Sequence, residues 1–403
     1  MATREQVVGR PLAVVLGLLT IFGPISMDLY LPVLPALTAE LGSVTSAAQL
    51  TITACLLGLA IGQVIAGPLS DRFGRRRPLL IGVAAYVLTS ALCALSPTIE
   101  TLVVARLVQG LAGAVGIVIA QAAGRDVYSG ARLVRYYGRL TVLGGLAAII
   151  GPVIGGQLAA VTDWRGLFLF LAAVGAVILG ASAVIFRETL PRERRVTGER
   201  GQMKHDFRRL LSDRTFLGAV LVTGFVNAAL FAYLSGATFV LQGIYALSPQ
   251  QYSYAFGLNS LGFMVFGYLA GRLSERSEKG TLVVGLVMCL LGAAGLLATA
   301  TLHLPLIAVI LSLLTMVSGV AVTTPPATSL ALANYPHVAG TASSLLGLAR
   351  FAFGGLAAPL VGLGGADDAV PLGLVTVVSV ALAMAVYNVT IKRRPASVSY
   401  GSS

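Results

Sequence analysis

The sequence predicts an all-α integral membrane protein: twelve transmembrane helices in two pseudo-symmetric six-helix bundles, with both termini cytoplasmic. Three observations carry this expectation. Hydrophobic residues make up 56% of the 403 positions and charged residues only 11%, where a soluble domain carries about a quarter charged. Apolar runs long enough to cross a hydrocarbon core of about 30 Å as helices recur along the whole chain. Every Lys and Arg except Arg106, Arg165 and Arg350 falls in a terminal segment, the central linker or alternate loops, as expected when basic residues collect on the cytoplasmic side. Adding or removing one span would scramble that pattern. The net charge of +12 is therefore read as topology, and no nucleic-acid partner is expected.

In order, the spans are expected at about 12–36, 48–69, 78–95, 101–123, 140–161 and 166–186. After a basic linker they continue at about 216–241, 252–273, 281–302, 305–333, 340–362 and 370–391. The domains are thus 1–187, a first bundle; 188–213, a cytoplasmic linker; and 214–403, a second bundle. The short basic segment before the first span precedes an apolar run long enough to span, so a retained first helix is expected rather than a cleaved signal. Cys55, Cys93 and Cys289 all fall inside apolar runs without metal-ligand spacing, and His205, His303 and His337 lie singly. Neither a metal site nor a disulfide framework is expected.

The first span holds the sequence PISMDLYLPVLP, where Asp28 is the one acid of sixteen that lies well inside an apolar segment. An intramembrane carboxylate is costly and therefore functionally suggestive. Pro24, Pro32 and Pro35 are able to bend the helix and free backbone carbonyls around it. Asp28 is positioned to take and release protons; a permanently paired structural acid is the alternative. Arg106, in the fourth span, lies at a similar depth and is its expected partner, with separation of the two switching protonation. Arg350, in the eleventh span, is the third intramembrane charge, either lining the cavity or bracing the second bundle.

Between the second and third spans stands GPLSDRFGRRRP, from Gly67 to Pro78. Gly67 is expected to let helix backbones approach, and Gly74 to supply the φ > 0 of a sharp turn. Asp71 has Arg72 and Arg75 among its candidate partners, making a latch that is able to form and break. A fainter echo, GYLAGRLSER, follows from Gly267 and hints at an internal repeat. In the fifth span, Gly151, Pro152, Gly155 and Gly156 form GPVIGG, where glycines permit tight crossing and the proline bends the helix. Mid-span Tyr30, Asn227, Tyr233 and Asn259, together with Arg350, are candidate substrate contacts, since a drug site needs apolar walls with a few placed polar groups. Helix packing is the bland reading of each.

These motifs resemble those of the major facilitator superfamily. GPLSDRFGRRRP is similar to its loop between the second and third helices. LVVARLVQGLAGA, from Leu102, is similar to its fourth-helix motif, whose arginine is implicated in proton coupling. GPVIGG resembles the fifth-helix motif of its proton-driven exporters. SMDLYLPVLP, RETLP from Arg187 and YPHVAGTASSL from Tyr335 most resemble the bicyclomycin and chloramphenicol resistance branch, Bcr/CflA. The resemblance implies a bacterial inner-membrane drug:proton antiporter working by alternating access and coupled through Asp28 and Arg106. It implies no cofactor, the proton gradient as energy source, and small-molecule drugs, protons and the bilayer as partners. One chain would hold a complete pathway, so a monomer is expected to function. A proton-linked exporter or importer of an endogenous metabolite is the alternative. With a single membrane acid, a one-proton cycle and neutral or weakly charged substrates are the simpler expectation. An enzyme is not expected, because no nucleophile, base or metal constellation is visible.

Overall fold

The computed structural model describes residues 10–127, 130–195, 210–332, 339–365 and 368–392. Most of the linker, His205, His337, the start of YPHVAGTASSL and the basic tail beyond Lys392 lie outside the described residues. The first span is broken into α1 (Arg10–Thr20), α2 (Phe22–Asp28), a 3-10 turn (Leu31–Val33) and α3 (Leu34–Glu40). Long helices follow: α4 (Thr45–Phe73), α5 (Arg76–Ala94), α6 (Ile99–Val127), α7 (Gly130–Leu158) and α8 (Trp164–Ile185). The second half contains α9 (Arg214–Phe239), α10 (Pro249–Arg276), α11 (Glu278–Thr301), α12 (Leu306–Leu332), α13 (Ala339–Val361) and α14 (Val370–Val386). Among the described residues, eight helices are long and apolar enough to cross a membrane, and the pair around Ile21, bent by 41°, makes a ninth if it is one span.

Helix ends follow local chemistry. Gly74 closes α4 at φ 87°, a left-handed conformation that a side chain would strain. Asp163 accepts from the Gly166 amide at 3.0 Å, Asp213 from Thr215 at 2.8 Å and Ser277 from Gly280 at 3.1 Å, each satisfying an orphan donor at a helix start. Ser248 and Gln251 form a reciprocal capping box at the start of α10. The first-span break has an equally local cause. Pro32 cannot donate to the Asp28 carbonyl, nor Pro35 to that of Leu31, so regular helix ends at Asp28 and resumes only at Leu34.

Small residues set the packing. A methyl at Gly58 or Gly62 of α4 would strike the backbone of Leu107 or Leu111 in α6, and one at Gly110 would strike the Cys55 carbonyl. In the second half Gly292 and Gly319 play the same part between α11 and α12, against Met316 and Cys289. Gly67 departs from expectation: a Cβ there would meet nothing within 4 Å. The close approaches of α4, at Gly62 and Gly58, lie further from the loop.

The two halves meet at the end opposite the Arg-rich loop. Among the described residues three hydrogen bonds join them there: Gln49 Nε2 to the Ser235 carbonyl at 3.3 Å, Gln157 Nε2 to Tyr254 Oη at 3.2 Å, and Gln242 Nε2 to the Pro32 carbonyl at 2.8 Å. Gly362, past α13, packs on Ser46 at the start of α4. On the same end, Glu40 accepts from Trp164 Nε1 at 2.8 Å and pairs with Arg165.

Candidate functional site: a buried acid at the seam between the halves

Asp28 ends α2 and is 5% exposed, and among the described residues no donor bonds its carboxylate. The GPVIGG segment of α7 lies directly against it. A Cβ at Gly151 would sit 3.5 Å from the Asp28 Cβ, and one at Gly155 would strike the Leu29 carbonyl. Gly156 faces the other way, toward Ser253 and the Pro249 carbonyl of α10. These glycines thus press one helix backbone onto the acid and onto the second half together. The α7 helix is continuous through Pro152, and its glycines supply close packing here.

Arg106 is fully buried in α6, and among the described residues it makes no ion pair with Asp28 in this form. Its guanidinium lies over the Tyr30 ring at 4.4 Å and the Phe168 ring at 5.5 Å. Nη1 donates to Gln109 Oε1 at 2.6 Å, and Gln109 Nε2 passes the chain on to Ser90 Oγ at 2.7 Å. Tyr30 sits in the break after α2 and its ring takes the guanidinium face, while Asp28, two residues earlier, lies against Gly151 of α7.

Of the candidate substrate residues, Tyr233 and Asn259 come together: Asn259 Nδ2 donates to Tyr233 Oη at 3.1 Å, leaving Asn259 Oδ1 buried without a donor. Tyr233 stacks on Phe256 with centroids 5.9 Å apart. Tyr252, not anticipated, accepts from Thr238 Oγ1 at 3.0 Å in the same region. Tyr30 is fully buried, bonded to Thr51 Oγ1 at 2.9 Å, and so belongs to the Arg106 cluster. Asn227 donates to the Thr223 carbonyl of its own helix at 2.8 Å. Arg350 is partly buried, with Nε enclosed and unpartnered.

At the basic loop the hub is Arg75. It pairs with Asp71 at 2.6 Å and Asp126 of α6 at 2.9 Å, and donates to Ser70 Oγ at 2.6 Å. Glu188 accepts from the Arg75 amide at 2.8 Å and the Arg76 amide at 3.3 Å, capping α5. Thr189 Oγ1 donates to Asp126 at 3.0 Å. Arg72 turns away over Phe73, 5.4 Å from its centroid. Asp126 and Glu188 escaped the sequence reading because their partners lie 51 and 113 positions away.

Residues 16–359 match the family model described as Major Facilitator Superfamily. The chain is 36% identical over 386 residues to the "Uncharacterized MFS-type transporter YdgK" of Bacillus subtilis, covering 95% of this chain and 96% of that one. It is 29% identical to the "Bicyclomycin resistance protein homolog" of Haemophilus influenzae, over 89% and 90% of the two chains. It is 30% identical to the "Chloramphenicol resistance protein" of Pseudomonas aeruginosa, over 80% and 76%. Among solved structures, a bacterial homolog of the human lysosomal transporter Spinster, inward-facing and unoccupied, superposes with TM-score 0.77 at 14% identity, covering 96% of this chain and 98% of that one. The chain is thus a multi-pass inner-membrane protein and not an enzyme; it belongs to the major facilitator superfamily, in the Bcr/CflA branch that these relatives represent.

Proposed function

We propose that the chain exports small-molecule drugs in exchange for protons by alternating access, taking bicyclomycin-, phenicol- or sulfonamide-like compounds. In this reading all twelve spans cross the bilayer, six on each side of the 188–213 linker, with both termini cytoplasmic and one chain sufficient. The proton gradient is the energy source, with no cofactor. The observation that supports it best is Asp28: a buried acid to which no donor bonds among the described residues, pressed by the α7 glycines. Proton and drug favour different states of the seam between the halves, and a ligand shifts an equilibrium only through differential affinity. The bonds at the end opposite the basic loop close the outward side, so the present form is read as facing the cytoplasm, where drug would enter and the proton leave. Arg106, held on Tyr30, is the reserve partner of Asp28 for the opposite state.

The test is resistance of a drug-sensitive bacterium expressing the chain, beside Asp28→Asn at matched membrane expression, against bicyclomycin, chloramphenicol and sulfonamides. Export reading and coupling role together require resistance that disappears in Asp28→Asn and weakens with a protonophore. Resistance indifferent to Asp28→Asn overturns the coupling role. No resistance to any compound favours a proton-linked carrier of an endogenous metabolite.

A further inference from the structure

In the 3-10 turn Leu31–Val33, just beyond Asp28, a carbonyl takes its bond from the third residue on: the Val33 amide donates to Tyr30 at 3.0 Å, and the Leu34 amide to Leu31. For the Pro32 carbonyl that residue is Pro35, which has no N–H. Its donor comes instead from the second half, Gln242 Nε2 at 2.8 Å. Gln242 stands in the π turn Val240–Ile244 that ends α9, where the Tyr245 amide reaches back five residues to the Val240 carbonyl at 3.2 Å. Such a turn holds one residue more than an α turn and shifts the side chains after it around the helix axis. Two backbone irregularities, one in each half, thus meet in a single hydrogen bond.

The first half holds the rest of the break. Asp28 and Leu29 lie against Gly151 and Gly155 of α7, and Tyr30 bonds Thr51 and covers Arg106. Pro32 itself is buried, and a buried carbonyl left without a partner is costly. When the end opposite the basic loop opens and Gln242 withdraws, water must therefore reach the Pro32 carbonyl or the break must rearrange, four residues along the chain from Asp28. We propose that Gln242 is a positioning residue for Asp28: its bond to Pro32 keeps the first-span break closed and dry while this end is shut, and its withdrawal admits water, and with it the proton, to the acid from that side. This rests on the proton-exchange reading and deepens it, by naming the contact that ties access to Asp28 to the state of the seam. The amide both fills the place and supplies the donor, which an apolar side chain does not.

The experiment uses the full-length protein purified in lipid nanodiscs. A water-soluble carbodiimide with glycine ethyl ester modifies carboxyls that water reaches, and mass spectrometry reads the rate at Asp28. Gln242→Leu should raise that rate about fivefold, the change in population that one net hydrogen bond sets. Gln242→Lys, which keeps a donor of similar reach, should behave as the native chain. Pro35→Ala restores the missing N–H, so Gln242→Leu should change the rate little in that background. Gln157→Leu removes a different seam bond, the one to Tyr254, and should act equally with and without Pro35→Ala. An Asp28 rate unchanged by Gln242→Leu overturns the proposal, as does an effect of Gln242→Leu that Pro35→Ala leaves intact. If Pro35→Ala does not fold, the contrast between Leu and Lys at position 242 decides, and equal rates in those two overturn the proposal. Because no drug is used, a chain that confers no drug resistance yet shows this Gln242 dependence defeats the export reading and supports the link. Resistance with an Asp28 rate indifferent to Gln242 does the reverse.

Discussion

Among the described residues Arg106 is a guanidinium with no carboxylate paired to it, fully enclosed in α6. Two ring faces, one amide oxygen and the Met27 sulfur at 3.7 Å replace the water it has lost. Cation–π contacts contribute roughly 0.5–2 kcal/mol each when desolvated, and a planar, delocalised cation covers two rings as an ammonium does not. Arg106→Lys should therefore lower the melting temperature in detergent, by a cost of about 1–2 kcal/mol, despite conserving charge. Phe168→Leu should take about half of that. A melting temperature unchanged in Arg106→Lys would show that the rings are only neighbours. Asp28 shows the converse situation, a carboxylate without a donor among the described residues, and the two are not paired in this form because depth along a helix says nothing about direction around it. Counting residues from the membrane faces put Asp28 and Arg106 level; the break created by Pro32 then turned Tyr30, not Asp28, onto Arg106.

At the scale of elements, close helix crossings depend on glycine where a methyl would strike backbone. A Cβ at Gly110 would collide with the Cys55 carbonyl, whereas one at Gly144 of α7 meets nothing within 4 Å. Overpacking a tight contact costs about 1–3 kcal/mol, while substitutions away from such contacts stay within about 0.5 kcal/mol. Gly110→Ala should lower thermal stability clearly and Gly144→Ala hardly at all, measured side by side as unfolding temperatures in one detergent. Equal shifts would remove the α4–α6 crossing as the cause. The long elements were legible in the sequence because an apolar run of membrane length can be little else. Their ends were less so: α7 begins at Gly130 rather than near 140, because Arg132, Arg135 and Arg139 end the apolar run without ending the helix. The hub at Arg75 was half legible. Asp71 is four residues away and on the same helical face, but Asp126 and Glu188 reach it only through the fold.

For the whole molecule, the hub and the seam occupy opposite ends and answer different questions. Each partner described for Arg75 belongs to the first half or the start of the linker, so the hub is intact while the far end is closed. Removing Asp126 leaves a largely enclosed guanidinium short of one partner. With side-chain exposures of 6% and 13% for this pair, Asp126→Ala should cost about 2 kcal/mol, less if Asp71 compensates, and chemical unfolding of the purified protein measures it. The seam makes a stronger demand, because alternating access requires that its contacts be exchanged for others at the basic-loop end. Gly362 and Gly67 sit at these two ends. A methyl at Gly362 would press on the Ser46 backbone, within 3 Å, in the form described here, and a methyl at Gly67 would meet nothing. If Gly67 is needed for close approach only when the basic-loop end closes, the two substitutions should bias the equilibrium in opposite directions. Gly362→Ala should favour the form open at the end opposite the basic loop. Gly67→Ala should favour the present form without loss of thermal stability. Each bias of about 1.4 kcal/mol is a tenfold change in population. Distances between spin labels placed in pairs across each end would register it. Shifts of the same sign in both variants would mean that the two ends do not exchange, and rocking of the halves would then be the wrong description of the cycle.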